Sequence, residues 1–159
     1  MPKLEIIPSF HELFDCLILV NPSIQILMET ANKIKEENIS VINISQELGG
    51  FLLNISAMDR SRSTQNWMVD KLASHPHDPI LCVCPDLLFD PTLQIDPFAL
   101  FRQIARIKHI VVMWPGNFSS GILSYAVPEH HHFRTWKITD TIINQPVVLI
   151  RQFPTSQGA

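Results

Sequence analysis

Charge is what this 159-residue chain has least of: Asp, Glu, Lys and Arg together make up 17% of it, against about 25% in an average globular domain. Apolar residues stand at an ordinary 46%. The deficit therefore falls on the surface, and a partner is expected to cover part of it. The formal charge of −3 carries no excess of Lys and Arg, which excludes a broad nucleic-acid footprint and leaves only local or indirect contact with DNA. Cysteine is sparse too. Cys16, Cys82 and Cys84 lie inside apolar runs and form neither a CxxC pair nor an even set, which excludes a disulfide framework and predicts buried thiols in a reducing cytosol. No apolar run approaches the ~20 residues that cross a bilayer. Met1-Pro2-Lys3-Leu4-Glu5 lacks a signal-peptide pattern, so a cytoplasmic protein with no membrane contact is expected.

What is present reads as alternating strands and helices. Pro8 to Asp15 places Phe10, Leu13 and Phe14 on one helical face, and Cys16 to Val20 is a short apolar run of the kind buried on both sides in a parallel sheet. Ser23 can cap a helix with Ile24, Leu27, Met28, Ala31 and Ile34 at a period near 3.6, ending near Glu37-Asn38. A second strand follows over Ser40 to Ile44, then a helix capped by Ser45 that carries Leu48, Phe51, Leu52 and Ile55, and another over Met58 to Ser74 with Trp67, Met68 and Leu72 inward. Ile80 to Cys84 and Ile110 to Trp114 are further buried strands. Between them Asp96-Pro97 starts a helix, a capping side chain followed by proline at the first helical position. An antiparallel excursion through Leu123–Ala126 and Phe133–Ile138 precedes a last strand over Pro146 to Arg151. This order predicts one α/β domain over 1–154, a P-loop NTPase-like sandwich with a mainly parallel central sheet and helices on both faces. Residues 155–159 read as a flexible tail.

The junction of the first strand and first helix is where a phosphate-binding loop belongs. That loop reads GxxxxGK followed by Ser or Thr: glycines let backbone N–H groups cradle phosphate, the lysine neutralises it, and the hydroxyl holds magnesium. The eight positions here are Asn21, Pro22, Ser23, Ile24, Gln25, Ile26, Leu27 and Met28. Asparagine and isoleucine replace the glycines, leucine the lysine, and methionine the hydroxyl. The strand Ile80-Leu81-Cys82-Val83-Cys84 likewise ends without a carboxylate, the first being Asp86 after Pro85. A degenerate nucleotide site with no hydrolysis is expected.

Farther along, Asp86-Leu87-Leu88-Phe89-Asp90-Pro91 through Asp96-Pro97, then Arg106, Val111-Val112-Met113-Trp114-Pro115-Gly116 and Leu123-Ser124-Tyr125-Ala126-Val127-Pro128-Glu129-His130 form a succession of short motifs. This run resembles the BrxF proteins of BREX-type phage-defence systems, small P-loop proteins with a similar LFDP, DP, WPG and YAxPxH series. The similarity spans roughly Cys16 to Ile150, with its specific part between Asp86 and His130. It implies a P-loop fold and a place beside a large ATPase, a DNA methyltransferase and an alkaline-phosphatase-like protein. It also implies an intact phosphate loop, from which this chain departs at all four signature positions. The resulting expectation is a pseudo-ATPase: an accessory defence subunit that acts through protein contacts, with a homo-oligomer as one form of contact. No cofactor is expected, ATP being the alternative to be tested. Asp86, Asp90, Arg102, Arg106 and Trp114 are the candidate interaction or phosphate contacts.

Two other functions fit the same residues. A nucleotide-binding regulator would use Ser23, Asp86 and Arg106 without hydrolysis, and a DNA-contacting subunit would use Arg60, Arg62, Arg102 and Arg106. Arg102 and Arg106 are expected one turn apart on the helix after Asp96-Pro97. Glu129-His130-His131-His132 cannot converge on one metal ion if extended, because neighbouring side chains point to opposite faces, and no metal is expected. Cys82 and Cys84, two apart on a strand, are expected to pack on one buried face.

Overall fold

The computed structural model of the chain describes residues 15–35, 39–138 and 147–150. Five parallel strands form the central sheet: β1 (Cys16–Asn21), β2 (Ser40–Asn43), β3 (Ile80–Val83), β4 (Ile110–Ser119) and β7 (Val147–Leu149), in the spatial order β2-β3-β4-β1-β7. Among the described residues four α-helices join them: α1 (Ile24–Lys35), α2 (Ile44–Leu52), α3 (Arg60–Ala73) and α4 (Pro97–Ile104). The chain is thus an α/β sandwich with a mainly parallel central sheet and helices on both faces, as the strand-helix alternation predicts, an arrangement consistent with a P-loop-like sandwich. The expected leading helix up to residue 14 and the tail at 155–159 lie outside the described residues.

Side-chain alternation along the strands builds two cores. Cys16, Ile18 and Val20 of β1 face one way, together with Ile42, Cys82 and Val112, and pack under α2, α3 and α4. Leu17 and Leu19 face the other way with Leu81, Val111 and Met113, and pack under Leu27, Ala31 and Ile34 of α1. Every residue of β1 is buried, so the run is continuous rather than alternating in polarity, as a central parallel strand requires.

β4 runs farther than Trp114. Its first half lies in the parallel sheet, where Asn21 is opposite Pro115 at the end of β1. Beyond that point β1 offers no partner, and Gly116–Ser119 pair instead with β5 (Ile122–Tyr125) in an antiparallel hairpin that β6 (Arg134–Lys137) extends. The predicted excursion is therefore a continuation of a core strand.

Local chemistry corrects several sequence readings. Asn43, not Ser45, caps α2: its side-chain oxygen accepts from the Gln46 N–H at 3.1 Å. Ser45 instead donates its hydroxyl to the Cys84 carbonyl at 2.6 Å and accepts from the Leu87 N–H at 2.9 Å. α2 ends at Leu52, which leaves Ile55 in the connection. α4 ends at Ile104, so Arg106 sits in the turn beyond it and not one turn along the helix. The cap at Asp96 is as expected, its carboxylate accepting from the Ala99 N–H at 3.1 Å.

Candidate functional site at the carboxyl edge of the sheet

In an open α/β sheet, ligands bind in the crevice beyond the carboxyl ends of the strands, where neighbouring connections leave on opposite faces. Here that place lies between the β1–α1 junction and the ends of β2 and β3, because α1 covers one face and α2 the other. The junction is shorter than a phosphate loop. Only Pro22 and Ser23 separate β1 from α1, so Ile24, Gln25, Ile26, Leu27 and Met28 are already helical.

Three of its backbone donors are engaged within the chain. The Asn21 side chain, buried at the strand end, accepts from the Ser23 N–H at 2.8 Å and donates to the Ile150 carbonyl at 2.7 Å. Ser23 caps α1 as its sequence position predicts: its hydroxyl accepts from the Ile26 N–H at 3.2 Å and its carbonyl from the Leu27 N–H at 3.1 Å. A phosphate cradle depends on such N–H groups turning toward the ligand. In this chain three of them are held by the loop's own oxygens, and Asn21 ties the loop to the end of β7.

Beside the junction lies a cleft of about 200 Å³ whose walls are largely apolar: Leu27, Met28 and Ala31 from α1, and Val41, Val83 and Met113 from the strands. Polar groups stand at its edges. Asn43, Asp86 and Cys84 come from the strand ends, and Lys35 from the last turn of α1. Asp86 accepts a hydrogen bond from the Tyr125 hydroxyl at 2.9 Å. Burial, followed by the Asp86 charge and this bond, pushes the Tyr125 hydroxyl well above its ordinary range, so the tyrosine stays a neutral donor.

The downstream motifs meet in one aromatic unit next to this edge. Phe89 stacks on Tyr125 with centroids 3.8 Å apart and planes 5° from parallel, and meets Trp114 edge-on at 4.9 Å. Trp114, wholly buried, donates its ring N–H to the Ser124 carbonyl at 2.9 Å. Trp136 packs against Trp114 at 5.3 Å and donates to Asp96 at 2.9 Å. Arg134 lies over the Trp136 ring at 5.0 Å and bonds the Ile95 carbonyl at 2.8 Å. Asp90 caps its own turn, accepting from the Thr92 N–H at 2.9 Å and hydroxyl at 2.8 Å; chiefly the N–H bond holds its carboxyl below the usual range.

The candidate contacts thus separate. Trp114 is an interior packing residue and offers no interaction surface. Asp90 is engaged in its own turn, and Asp86 alone of the five lines the cleft. Arg102 lies over Phe98 at 5.7 Å, and its charge is felt at Cys16, the first residue of β1 and hence at the amino edge of the sheet. Arg106 lies two residues beyond the end of α4. The fold therefore does not bring Arg102 to the first loop. His130 and His132 approach to 5.4 Å between rings, and among the described residues no three His, Cys, Asp or Glu side chains gather as a metal site.

The roles of Asn21, Tyr125, Arg134 and Trp136 escape a reading by motif, because each acts on a residue between 39 and 129 positions away. Ser23 and the Asp-Pro pairs announce themselves locally, as caps.

Cys84 departs from the expected buried trio. It follows the last residue of β3 in a left-handed conformation, φ 52°, which turns its thiol out to an exposed position while Cys16 and Cys82 stay fully buried. Burial pushes Cys82 up to about 12, and the Cys84 thiol is also raised, by partial burial and then by Asp86. A disulfide-exchange reagent is expected to label one thiol in the native chain and all three after denaturation. Labelling of Cys84 should be slower at neutral pH than that of a free thiol and should quicken as pH rises, because the thiolate is the nucleophile. Labelling of more than one thiol at native pH would contradict this placement.

No protein-family profile, curated protein or solved structure matches the chain.

Proposed function

We propose that this chain is an accessory, non-hydrolysing subunit of an anti-phage defence assembly of the BREX type, acting through protein contacts at the carboxyl edge of its sheet. The observation that carries the first half of this reading is the β1–α1 junction. The Ser23 and Ile26 N–H groups are held by Asn21 and Ser23, and Leu27 and Met28 present hydrocarbon and sulfur where phosphate and magnesium would need an amine and a hydroxyl. The defence setting rests on the resemblance of the Asp86–His130 motifs alone.

Purified chain with magnesium and ATP is expected to release no phosphate above the level of a Met28→Ala control. Turnover that the control loses would overturn the pseudo-ATPase reading. Calorimetric titration separates the runner-up: saturable nucleotide binding without turnover supports a nucleotide-holding regulator in its place. Salt-sensitive DNA binding by the isolated chain would support the DNA-contacting subunit, with Arg60 and Arg62 as its first residues to replace. Cellular context tests the defence role. Loss of the gene should sensitise the host to phage, and the tagged chain should retain a large ATPase or methyltransferase encoded nearby.

A further inference from the structure

Resting on the reading that no phosphate occupies this edge, we propose that the cleft beside α1 binds a small aromatic amine, with its ammonium held by Asp86 and its ring by the apolar walls. Asp86 is a carboxylate fixed in place with capacity to spare. The turn that carries it is pinned on both flanks by Ser45, whose hydroxyl donates to the Cys84 carbonyl at 2.6 Å and accepts from the Leu87 N–H at 2.9 Å. Its Oδ2 accepts from the Tyr125 hydroxyl at 2.9 Å. Among the described residues no Lys, Arg or His pairs with it, and its Oδ1 has no hydrogen-bond partner. A whole negative charge therefore stands at the edge of an apolar cleft with only neutral groups beside it, since burial and the Asp86 charge both favour the protonated forms of the Tyr125 hydroxyl and the Cys84 thiol.

Size selects the body of the ligand. The cleft offers about 200 Å³, below the roughly 300–1,000 Å³ of pockets for cofactors and drug-sized molecules. An apolar cavity of about 150 Å³ holds benzene, so this one takes a single ring with a short chain. Met28 and Met113 both line it, and thioether sulfur makes favourable contacts with the edge of an aromatic ring. Charge selects the head group. A phosphate or carboxylate would meet Asp86 with like charge, whereas an ammonium brings donors to an oxygen that lacks one and forms a charge-assisted bond. Lys35, the other charged residue of the lining, closes α1 eleven residues after Ile24. That places it about 16 Å along the helix, beyond the screening length of about 10 Å. The amino terminus of α1, equivalent to about half a positive charge, is the opposing contribution at this end, and the whole charge of Asp86 exceeds it.

Calorimetric titration of the full chain with phenethylamine at neutral pH tests the site. Labelling of Cys84 gives a second readout, because this thiol lines the cleft and is exposed while Cys16 and Cys82 are buried. One saturable site is expected, with labelling of Cys84 slowed severalfold at saturation. Phenethyl alcohol, which keeps the ring and loses the charge, should bind about tenfold or more weakly, and phenylacetate should not bind. Asp86→Asn should bring phenethylamine down to the level of the alcohol. The amide keeps an oxygen for the Tyr125 hydroxyl, so thermal unfolding of this variant should stay close to that of the parent. Absence of saturable amine binding, equal binding of amine and alcohol, or binding indifferent to Asp86→Asn would each overturn the proposal. The reading beneath it fails separately: saturable ATP binding in a parallel titration overturns the phosphate-free edge, and silence toward both ligands sinks only the amine site.

Discussion

Replacement of Gly116 by alanine should strongly destabilise the chain and lower its thermal unfolding midpoint. A Cβ built at this position would stand 1.8 Å from the Ser124 carbonyl oxygen and 2.8 Å from its carbon. Both are backbone atoms of the paired strand β5, so no rotamer change relieves the overlap. Relief requires the β4–β5 hairpin to part where Gly116 lies opposite Tyr125. The same movement would pull the Ser124 carbonyl from the Trp114 ring N–H, which it meets at 2.9 Å, and leave a buried donor unpaired. Overpacking a tight site costs about 1–3 kcal/mol in ordinary cases, and a lost buried hydrogen bond adds about 1–3 kcal/mol. A loss of roughly 3 kcal/mol or more is therefore expected, which in a domain of this size lowers Tm by about 6–12 °C. Gly50, with open space around its Cβ position, is the control: Gly50→Ala in α2 should be neutral or stabilising. Equal thermal unfolding of Gly116→Ala and the parent would refute the packing account.

Phe89→Ala should be the next most damaging change. Phe89 is fully buried and touches three other rings, lying flat on Tyr125 at 3.8 Å and edge-on to Trp114 at 4.9 Å and Trp136 at 6.0 Å. Truncation removes the ring's transfer free energy and leaves a cavity that three stiff aromatic side chains cannot fill by moving, so about 3–5 kcal/mol is expected. Tyr125 would lose its stacking surface while still tied to Asp86, which makes the damage reach the rim of the cleft. Denaturant titration measures the first effect. Phe89→Leu, which keeps much of the volume, should recover more than half of the lost stability; no recovery would mean that ring stacking, rather than filled volume, dominates.

The strands and helices were largely legible because their signals are local. The unbroken apolar run at Cys16–Val20 can be a doubly buried strand, and Asp96-Pro97 can begin a helix, whatever the rest of the chain does. One reading failed because two nearby residues compete for one task. Asn43 and Ser45 are both good caps, and sequence spacing does not tell which will serve. The choice follows from the approach of the Cys84–Leu87 turn, which takes the Ser45 hydroxyl for itself. Cys84 read as buried because alternation with Cys82 places both on one face. The left-handed turn at Cys84 ends the strand before that alternation applies. Trp114 read as a contact because an aromatic before Pro-Gly at a strand end lies where ligands bind, yet β4 continues through Pro115 and the hairpin closes over the ring.

The candidate site divides in the same way. The absence of the phosphate-loop residues needed no coordinates, since leucine and methionine cannot supply charge or a magnesium oxygen in any fold. Sequence by itself determined the alternation of elements, the absence of the phosphate-binding residues and the caps made by Ser23, Asp90 and Asp96, because each depends on residues within a few positions of one another. Only the tertiary structure decided that Asn21 would lock the loop to Ile150, that Asp86 would be tied to Tyr125, that Arg102 would stand at the opposite edge of the sheet, and that Ile24 and Met28 would remain uncovered beside a cleft. Those outcomes depend on which strands become neighbours, and strand order is set by the summed packing of two cores rather than by any short stretch of chain.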